Sequence, residues 1–140
     1  MSAGPVIPEG FARHFRQSPM TDPWEPLYSR RMEDGAVRIG LFAGPAHCNS
    51  RGFVHGGLIA TLADNAMGLS CGSRPGAVGG LVTVNLAIDY LASGRIGQWI
   101  QVEPRMIKAG STLCFVQALV TADGIACARA NATFKIATAA

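Results

Sequence analysis

The sequence predicts an α+β fold in which one long central helix is wrapped by a curved antiparallel sheet of about five or six strands. The helix is predicted from residues 49–72, where apolar residues recur at three- and four-residue spacing around most of the circumference. The strands are predicted from alternating stretches elsewhere and from two Asp-Gly pairs, which are typical of hairpin turns. Because a helix that is apolar nearly all round must be buried, we expect the sheet to enclose it.

The composition indicates one compact domain. With 140 residues, of which 49% are hydrophobic, the chain can bury an ordinary core. Prolines cluster in residues 1–27, which we interpret as an N-terminal leader with a short helix over residues 10–17, and residues 28–140 form the predicted domain. The net charge of +3 is modest and scattered, so nucleic acid is not an expected partner.

The strands are expected in a simple order along the domain. Residues 28–33 and 36–42 form a first hairpin around Asp34-Gly35, and the helix follows. A Gly- and Pro-rich connection then leads to four further strands, at residues 81–91, 98–108, 112–122 and 125–136. In the last strand, small residues on one face allow the helix to lie close: Ala126, Ala128, Ala130 and Ala132.

The strand at residues 81–91 alternates strictly, which predicts two distinct faces. One face is expected to carry the apolar residues Val82, Val84, Leu86, Ile88 and Tyr90. The opposite face is expected to carry the polar residues Thr83, Asn85 and Asp89.

The four cysteines predict neither a metal site nor a disulfide. Cys48, Cys71, Cys114 and Cys127 are widely separated, with no C-x-x-C pair and no histidine at zinc-ligand spacing. We therefore expect four reduced thiols in a cytoplasmic protein that needs no cofactor. The first twenty residues contain charges and prolines where a signal peptide needs an apolar run, and Asp64 argues against a membrane-spanning helix.

Asp64 is the residue whose position most needs an explanation. It is the only charged residue between His55 and Ser73, inside the most apolar stretch of the chain. Burying a polar group without a hydrogen bond costs on the order of 2–7 kcal/mol. A carboxylate that faces a core costs at least as much unless it is paired or hydrogen-bonded. A buried acid satisfied by hydroxyl groups or backbone is the alternative, but we favour a general base or nucleophile.

The start of the helix, at His55, Gly56 and Gly57, predicts a site for an oxyanion or a polarised carbonyl. The first helical turn leaves N–H groups without partners, the helix dipole is positive there, and glycine lets a ligand approach the backbone. Gly56 and Asp64 are eight positions apart, about 12 Å along a helix. Because one carbonyl cannot contact both groups, we expect two antiparallel helices in a dimer to share the site.

The spacing N-x5-H-G-G-x6-L-x-D, from Asn49 to Asp64, together with Thr83 and the apolar run that follows it, resembles the hotdog-fold acyl-CoA thioesterases of the PaaI-like, 4-hydroxybenzoyl-CoA thioesterase superfamily. The likeness spans about residues 28–136 and implies a hotdog dimer, often paired into tetramers. It also implies an acyl-CoA substrate, and hydrolysis without a metal.

The resemblance further implies a role for each matching residue. Asp64 would activate water or attack the thioester carbonyl, and the Gly56 N–H would polarise that carbonyl. Asn49 and His55 would support the carbonyl from the same subunit, and Thr83 would help to hold the water. For His55, capping of the helix stays open as an alternative. From charge alone, the CoA phosphates are expected near Arg74, Arg95, Arg105, Lys108 or Arg129, and Gly57 is expected to contact substrate.

Two other functions are compatible with this fold. A hotdog hydratase or dehydratase would pair a histidine with an acid, and the sequence suggests only His55 for that position. A non-catalytic acyl-CoA-binding protein would bind without turnover. Sensors of this type carry a DNA-binding segment, whereas the leader is too interrupted by proline for a helix-turn-helix.

Overall fold

A computed structural model describes residues 4–72 and 80–137 of the chain. Its elements are β1 (Ala12–Arg13), β2 (Tyr28–Arg31), β3 (Val37–Phe42), α1 (Gly56–Gly72), β4 (Leu81–Tyr90), β5 (Trp99–Ala109), β6 (Leu113–Ala122) and β7 (Ile125–Ile136). Two short 3-10 turns lie at Asp22–Trp24 and Pro45–His47. The strands form one antiparallel sheet in the order β1-β2-β3-β5-β6-β7-β4. The predicted helix wrapped by an antiparallel sheet is confirmed, with seven strands.

The apolar stripe of α1 fills the centre of the sheet. Leu62, Ala63, Ala66 and Met67 are fully buried, and they pack among buried side chains of β3, β5 and β6. The small-residue face predicted on β7 is confirmed from Ala128 onward. Three alanines and one phenylalanine line that part of the core: Ala128, Ala130, Ala132 and Phe134.

The seventh strand comes from the leader, where the prediction of a helix over residues 10–17 is wrong. Ala12 and Arg13 instead pair antiparallel with Ser29 and Tyr28 at the edge of β2. The His14 N–H continues this pairing by donating to the Leu27 carbonyl at 2.9 Å. Backbone hydrogen bonds to an open sheet edge therefore replace the intrahelical bonds that the sequence suggested.

The prediction of four reduced thiols is wrong for two of the cysteines. Cys71, at the end of α1, forms a disulfide with Cys114, near the start of β6, although 43 positions separate them. Packing of the helix end on the sheet brings these residues together, and their spacing in the sequence gave no sign of it. Cys48 and Cys127 are free, and burial raises the pKa of each thiol. Within residues 4–72 and 80–137, no helix has the length and apolarity needed to cross a membrane.

A buried serine joins α1 to the sheet. The Ser70 hydroxyl donates to the Ala66 carbonyl at 2.7 Å and accepts from the Val37 N–H of β3 at 2.9 Å. Ser70 is 3% exposed, so water does not replace this contact.

Ser70→Ala is expected to lower the free energy of unfolding by about 1–3 kcal/mol, because it removes the side-chain acceptor of a buried N–H. Urea denaturation measures this change. Thr61→Ala is the matched control, since the Thr61 hydroxyl also donates to the carbonyl four residues earlier but is exposed. Its loss is expected to stay within about 0.5 kcal/mol. Equal losses in the two variants would show that the Val37 contact contributes nothing.

Candidate active site

The first turn of α1 is fixed by side chains on both sides. His55 Nδ1 accepts from the Gly57 N–H at 2.8 Å, so the imidazole caps the helix. Tyr90 Oη donates to the Gly56 carbonyl at 2.6 Å. Capping is therefore the role that the structure gives His55, and it occupies the Gly57 N–H that the sequence had assigned to substrate. Tyr90 was missed as a site residue, although its place at the end of an alternating strand was visible.

The Gly56 N–H is a donor left available at this end of the helix, on a less buried residue than Leu58, whose N–H also lacks an acceptor in the described chain. Among residues 4–72 and 80–137 it has no hydrogen-bond acceptor. A Cβ on Gly56 would lie 3.1 Å from the Tyr90 ring, so only glycine fits without displacing that ring. The helix dipole makes this N–H a favourable site for a developing negative charge.

Asn49 organises the loop that leads into the helix. Its Oδ1 accepts from the Arg51 N–H at 2.9 Å and from the Phe53 N–H at 3.2 Å. Its backbone N–H also donates to the Phe53 carbonyl at 2.8 Å. The side-chain oxygen of Asn49 is thus used within the loop.

Asp64 lies eight residues after Gly56 in α1 and is half-buried at the wall of a cleft of about 620 Å³. Thr83 Oγ1 donates to Asp64 Oδ1 at 2.7 Å. In the described part of the chain, Asp64 Oδ2 has no hydrogen-bond partner, so it can accept from a water molecule or a ligand. The role implied for Thr83, holding the water, stays a prediction; in the structure its hydroxyl bonds to Asp64, and that acid reaches an opening.

A β-bulge explains how Thr83 reaches the helix. The pairing of β4 with β7 shifts between Thr83 and Asn85, which leaves Val84 as the extra residue. Thr83 therefore points to the same side as Leu86, Ile88 and Tyr90. The prediction of two uninterrupted faces is wrong here, because a bulge exchanges the faces on either side of it. Val82 and Val84 are each 59% exposed as a result.

The cleft at Asp64 is bounded by the helix, the sheet and the leader. The helix and sheet contribute Asp64, Asn65, Gly68, Leu69, Gly72, Leu81, Thr83 and Phe134. The leader and β2 contribute His14, Phe15, Arg16, Ser18, Thr21 and Arg31. The sequence did not predict that the leader would border this cleft, since it placed a helix there.

His14 is the unusual member of this lining. It is 8% exposed, and its Nδ1 has no hydrogen-bond partner among the described residues. Burial lowers the pKa of the imidazole, an effect that Glu25 opposes and Arg16 reinforces. The ring is therefore held in its neutral form, with one nitrogen free to bond to a ligand.

The predicted phosphate-binding residues do not form one cluster. Arg95 lies near the first turn of α1, where its guanidinium and that of Arg51 both pack on the Phe53 ring at 5.4 Å. Lys108 is exposed near the opposite end of β5. Arg74 lies outside the described residues. Arg105 and Arg129 line a cleft on the other face of the sheet. Arg51 was not predicted, although it lies inside the N-x5-H-G-G motif.

A second cleft, of about 650 Å³, lies on the other face of the sheet. Its acids are Asp89, which is paired with Arg129 at 2.8 Å, and Glu103, which accepts from Gln101 at 3.0 Å. These acids therefore have protein partners, and Asp89 lies on the opposite face of β4 from Tyr90, which contacts the helix start. Across residues 4–72 and 80–137, no group of three or more His, Cys, Asp or Glu side chains could hold a metal ion.

Comparison with known proteins agrees with this geometry. A family model described as "Thioesterase superfamily" matches residues 51–128. A Pseudomonas aeruginosa protein provisionally named an esterase is 32% identical over 130 residues, which are 93% of this chain and 97% of that protein. Human acyl-coenzyme A thioesterase 13 is 40% identical over 77 residues, covering 54% of this chain and 53% of that protein.

Solved structures agree on the fold. A Streptococcus mutans protein bound to acetyl CoA superposes with a TM-score of 0.73 at 30% identity, over 81% of this chain and 90% of that one. The single helix in an antiparallel sheet is the hotdog arrangement that the resemblance implied. The matched residues include the first turn of α1, Asp64 and Thr83. The chain therefore belongs to the thioesterase superfamily and is a thioester hydrolase with a hotdog fold.

Proposed function

We propose that the protein hydrolyses acyl-CoA thioesters, with Asp64 of one protomer and the Gly56 N–H of its partner acting on the same thioester. The observation that carries this proposal is the pair of unsatisfied groups. Asp64 keeps one oxygen free at an open cleft, and Gly56 keeps a free N–H at the positive end of the same helix. The acetyl CoA bound to the Streptococcus mutans protein and the name of the human relative support CoA as the carrier.

The reaction requires few groups. The Gly56 N–H donates a hydrogen bond to the thioester carbonyl oxygen, on which negative charge develops as the carbon becomes tetrahedral. Asp64 either takes a proton from the attacking water or attacks the carbon itself and forms an anhydride that water then cleaves. The Thr83 hydroxyl holds the Asp64 carboxylate in place by donating to its Oδ1. In both routes the carbon–sulfur bond breaks and the products are a free acid and CoA.

The edge strand supports a dimer that brings the two groups together. In the described chain β4 pairs only with β7, and its outer side carries exposed apolar residues, including Val82 and Val84. Thr83 lies beside Asp64, and Tyr90 lies beside Gly56. Antiparallel pairing of two β4 strands about a two-fold axis near Leu86 would place the Thr83 end of one strand opposite the Tyr90 end of the other. Asp64 would then face the partner's Gly56.

The same arrangement supports a position for the CoA phosphates. Arg51 and Arg95 lie near Gly56, so each protomer would offer these two guanidinium groups to the thioester held by its partner's Asp64. Guanidinium groups bind phosphate through charge-assisted hydrogen bonds. Lys108 is too far along β5 to contribute from the same chain.

A hydratase is the second candidate, and one observation bears on it. His14 lines the same cleft as Asp64, but it hydrogen-bonds to neither oxygen of that acid. A hydratase would require His14 and Asp64 to act together on an acyl chain. Loss of enoyl-CoA absorbance would detect that reaction.

Asp64→Asn is expected to reduce thioester hydrolysis by about 10²–10⁴-fold, because an amide neither takes the proton nor attacks the carbonyl. Spectrophotometric release of CoA thiol from a panel of phenylacetyl, benzoyl and fatty acyl thioesters measures the change. Asp89→Asn is the matched control, since Asp89 is an exposed acid paired with Arg129 on the other sheet face. Near-wild-type turnover by a folded Asp64→Asn variant would eliminate the mechanism.

Tyr90→Phe is expected to reduce kcat about five-fold while KM changes little, since the loss of about 1 kcal/mol in one hydrogen bond loosens the helix start that holds the Gly56 N–H. Steady-state kinetics give the two parameters separately. Tyr28→Phe removes a hydroxyl that has no hydrogen bond within the described chain and should leave both parameters unchanged. A rise in KM with unchanged kcat would argue against a positioning role for Tyr90.

A further inference from the structure

The leader forms a fixed wall opposite the catalytic helix. We call it the leader wall and define it as residues 14–21 together with Arg31. Its first residue is held by the hydrogen bond from the His14 N–H to the Leu27 carbonyl. Its last residue, Thr21, is 3% exposed and bonds to Ser18 through both backbone and side chain. Just beyond it, His47 Nε2 bonds to the Trp24 carbonyl at 2.9 Å.

The leader wall carries positive charge that nothing in the described chain neutralises. Arg16 and Arg31 line the cleft, and neither forms an ion pair with a described residue. The Arg31 guanidinium lies 5.5 Å from the centre of the Phe15 ring, which is a contact that leaves its N–H groups free. The only acid in the cleft lining is Asp64, and its Oδ1 is bonded to Thr83.

The buried His14 is an independent sign that a ligand binds at this wall. Its Nδ1 is shielded from water and lacks a partner among the described residues, which is uncommon for a buried polar atom. A buried nitrogen of this kind is stabilised when a ligand oxygen bonds to it. Two free guanidinium groups and one unsatisfied imidazole border the same cleft, and an anionic oxygen that accepts hydrogen bonds matches all three.

We propose that the leader wall binds a carboxylate at the far end of the acyl group, so that the enzyme prefers thioesters of dicarboxylic acids over unsubstituted acids of equal length. This inference rests on the proposed function. A phosphate of CoA is the other anion available. However, Arg51 and Arg95 lie at the Gly56 end of the helix, whereas the leader wall faces Asp64 and the residues that follow it. His14 is also buried, and a carboxylate with one charge costs less to bury than a phosphate with more than one.

The test compares matched substrate pairs that differ only at the end of the chain: glutaryl- and valeryl-CoA, adipyl- and hexanoyl-CoA, and suberyl- and octanoyl-CoA. For the pair of best length, kcat/KM is expected to be at least about ten-fold higher for the dicarboxylic member, as one charge-assisted hydrogen bond allows. Arg16→Gln, Arg31→Gln and His14→Gln should each lower this ratio. Arg38→Gln, which removes a guanidinium from the cleft on the other sheet face, should leave the ratio unchanged.

The same pairs are then measured as N-acetylcysteamine thioesters, which carry no phosphate. Persistence of the preference supports a carboxylate site. If the arginine variants instead slow both CoA substrates of a pair equally, and that loss disappears without CoA, the leader wall binds phosphate and the inference is wrong. Wild-type enzyme that hydrolyses both members of every pair equally also overturns it, while leaving the proposed function intact. No hydrolysis of any thioester would contradict the proposed function itself.

Discussion

Burial of α1 inside the sheet is the constraint on which the other features depend. A helix enclosed on most sides contributes the core through residues such as Leu62 and Met67, and it can expose polar groups only where the enclosure is incomplete. The uncovered side of α1 runs from its first turn past β4, and it includes the Gly56 N–H and the Asp64 carboxylate. The chemistry of the site therefore follows from where the sheet fails to cover the helix.

The edge strand β4 contacts the helix at two points, through a bulge near its start and through its last residue. The bulge at Val84 turns Thr83 toward the helix, where its hydroxyl fixes the carboxylate. At the other end of the strand, Tyr90 bonds to the first helical turn. One strand thus contacts the acid and the helix turn that carries the amide donor, and in the described chain its outer edge pairs with no other strand, as the proposed dimer requires. Rigid support from regular elements favours precise placement of reacting groups.

The periodicity of apolar side chains predicted the regular elements of the fold but not its irregular features. The helix and both Asp-Gly hairpins were predictable because side-chain repeats and turn residues encode them locally; Asp123 and Gly124 do adopt positive φ. The bulge, the short strand β1 and the Cys71–Cys114 disulfide depend on pairing between distant segments, which no local pattern reports. Of the site, Asp64 and Gly56 stood out chemically, whereas His14 and Tyr90 gained meaning only from their neighbours.

A site shared between protomers is the central claim, and mixed dimers test it most directly. One chain would carry Asp64→Asn and the other Gly56→Pro, which removes the N–H at the first helical position. The proline also displaces the Tyr90 ring of its own chain, but that ring belongs to the site that already carries both substitutions. Each homodimer should be inactive, whereas the isolated heterodimer contains one site with both changes and one with neither. The account predicts recovery of up to about half of the wild-type turnover per dimer, since one of two equivalent sites is intact. A folded heterodimer as inactive as its parents would show that both groups act within one chain and would contradict the account.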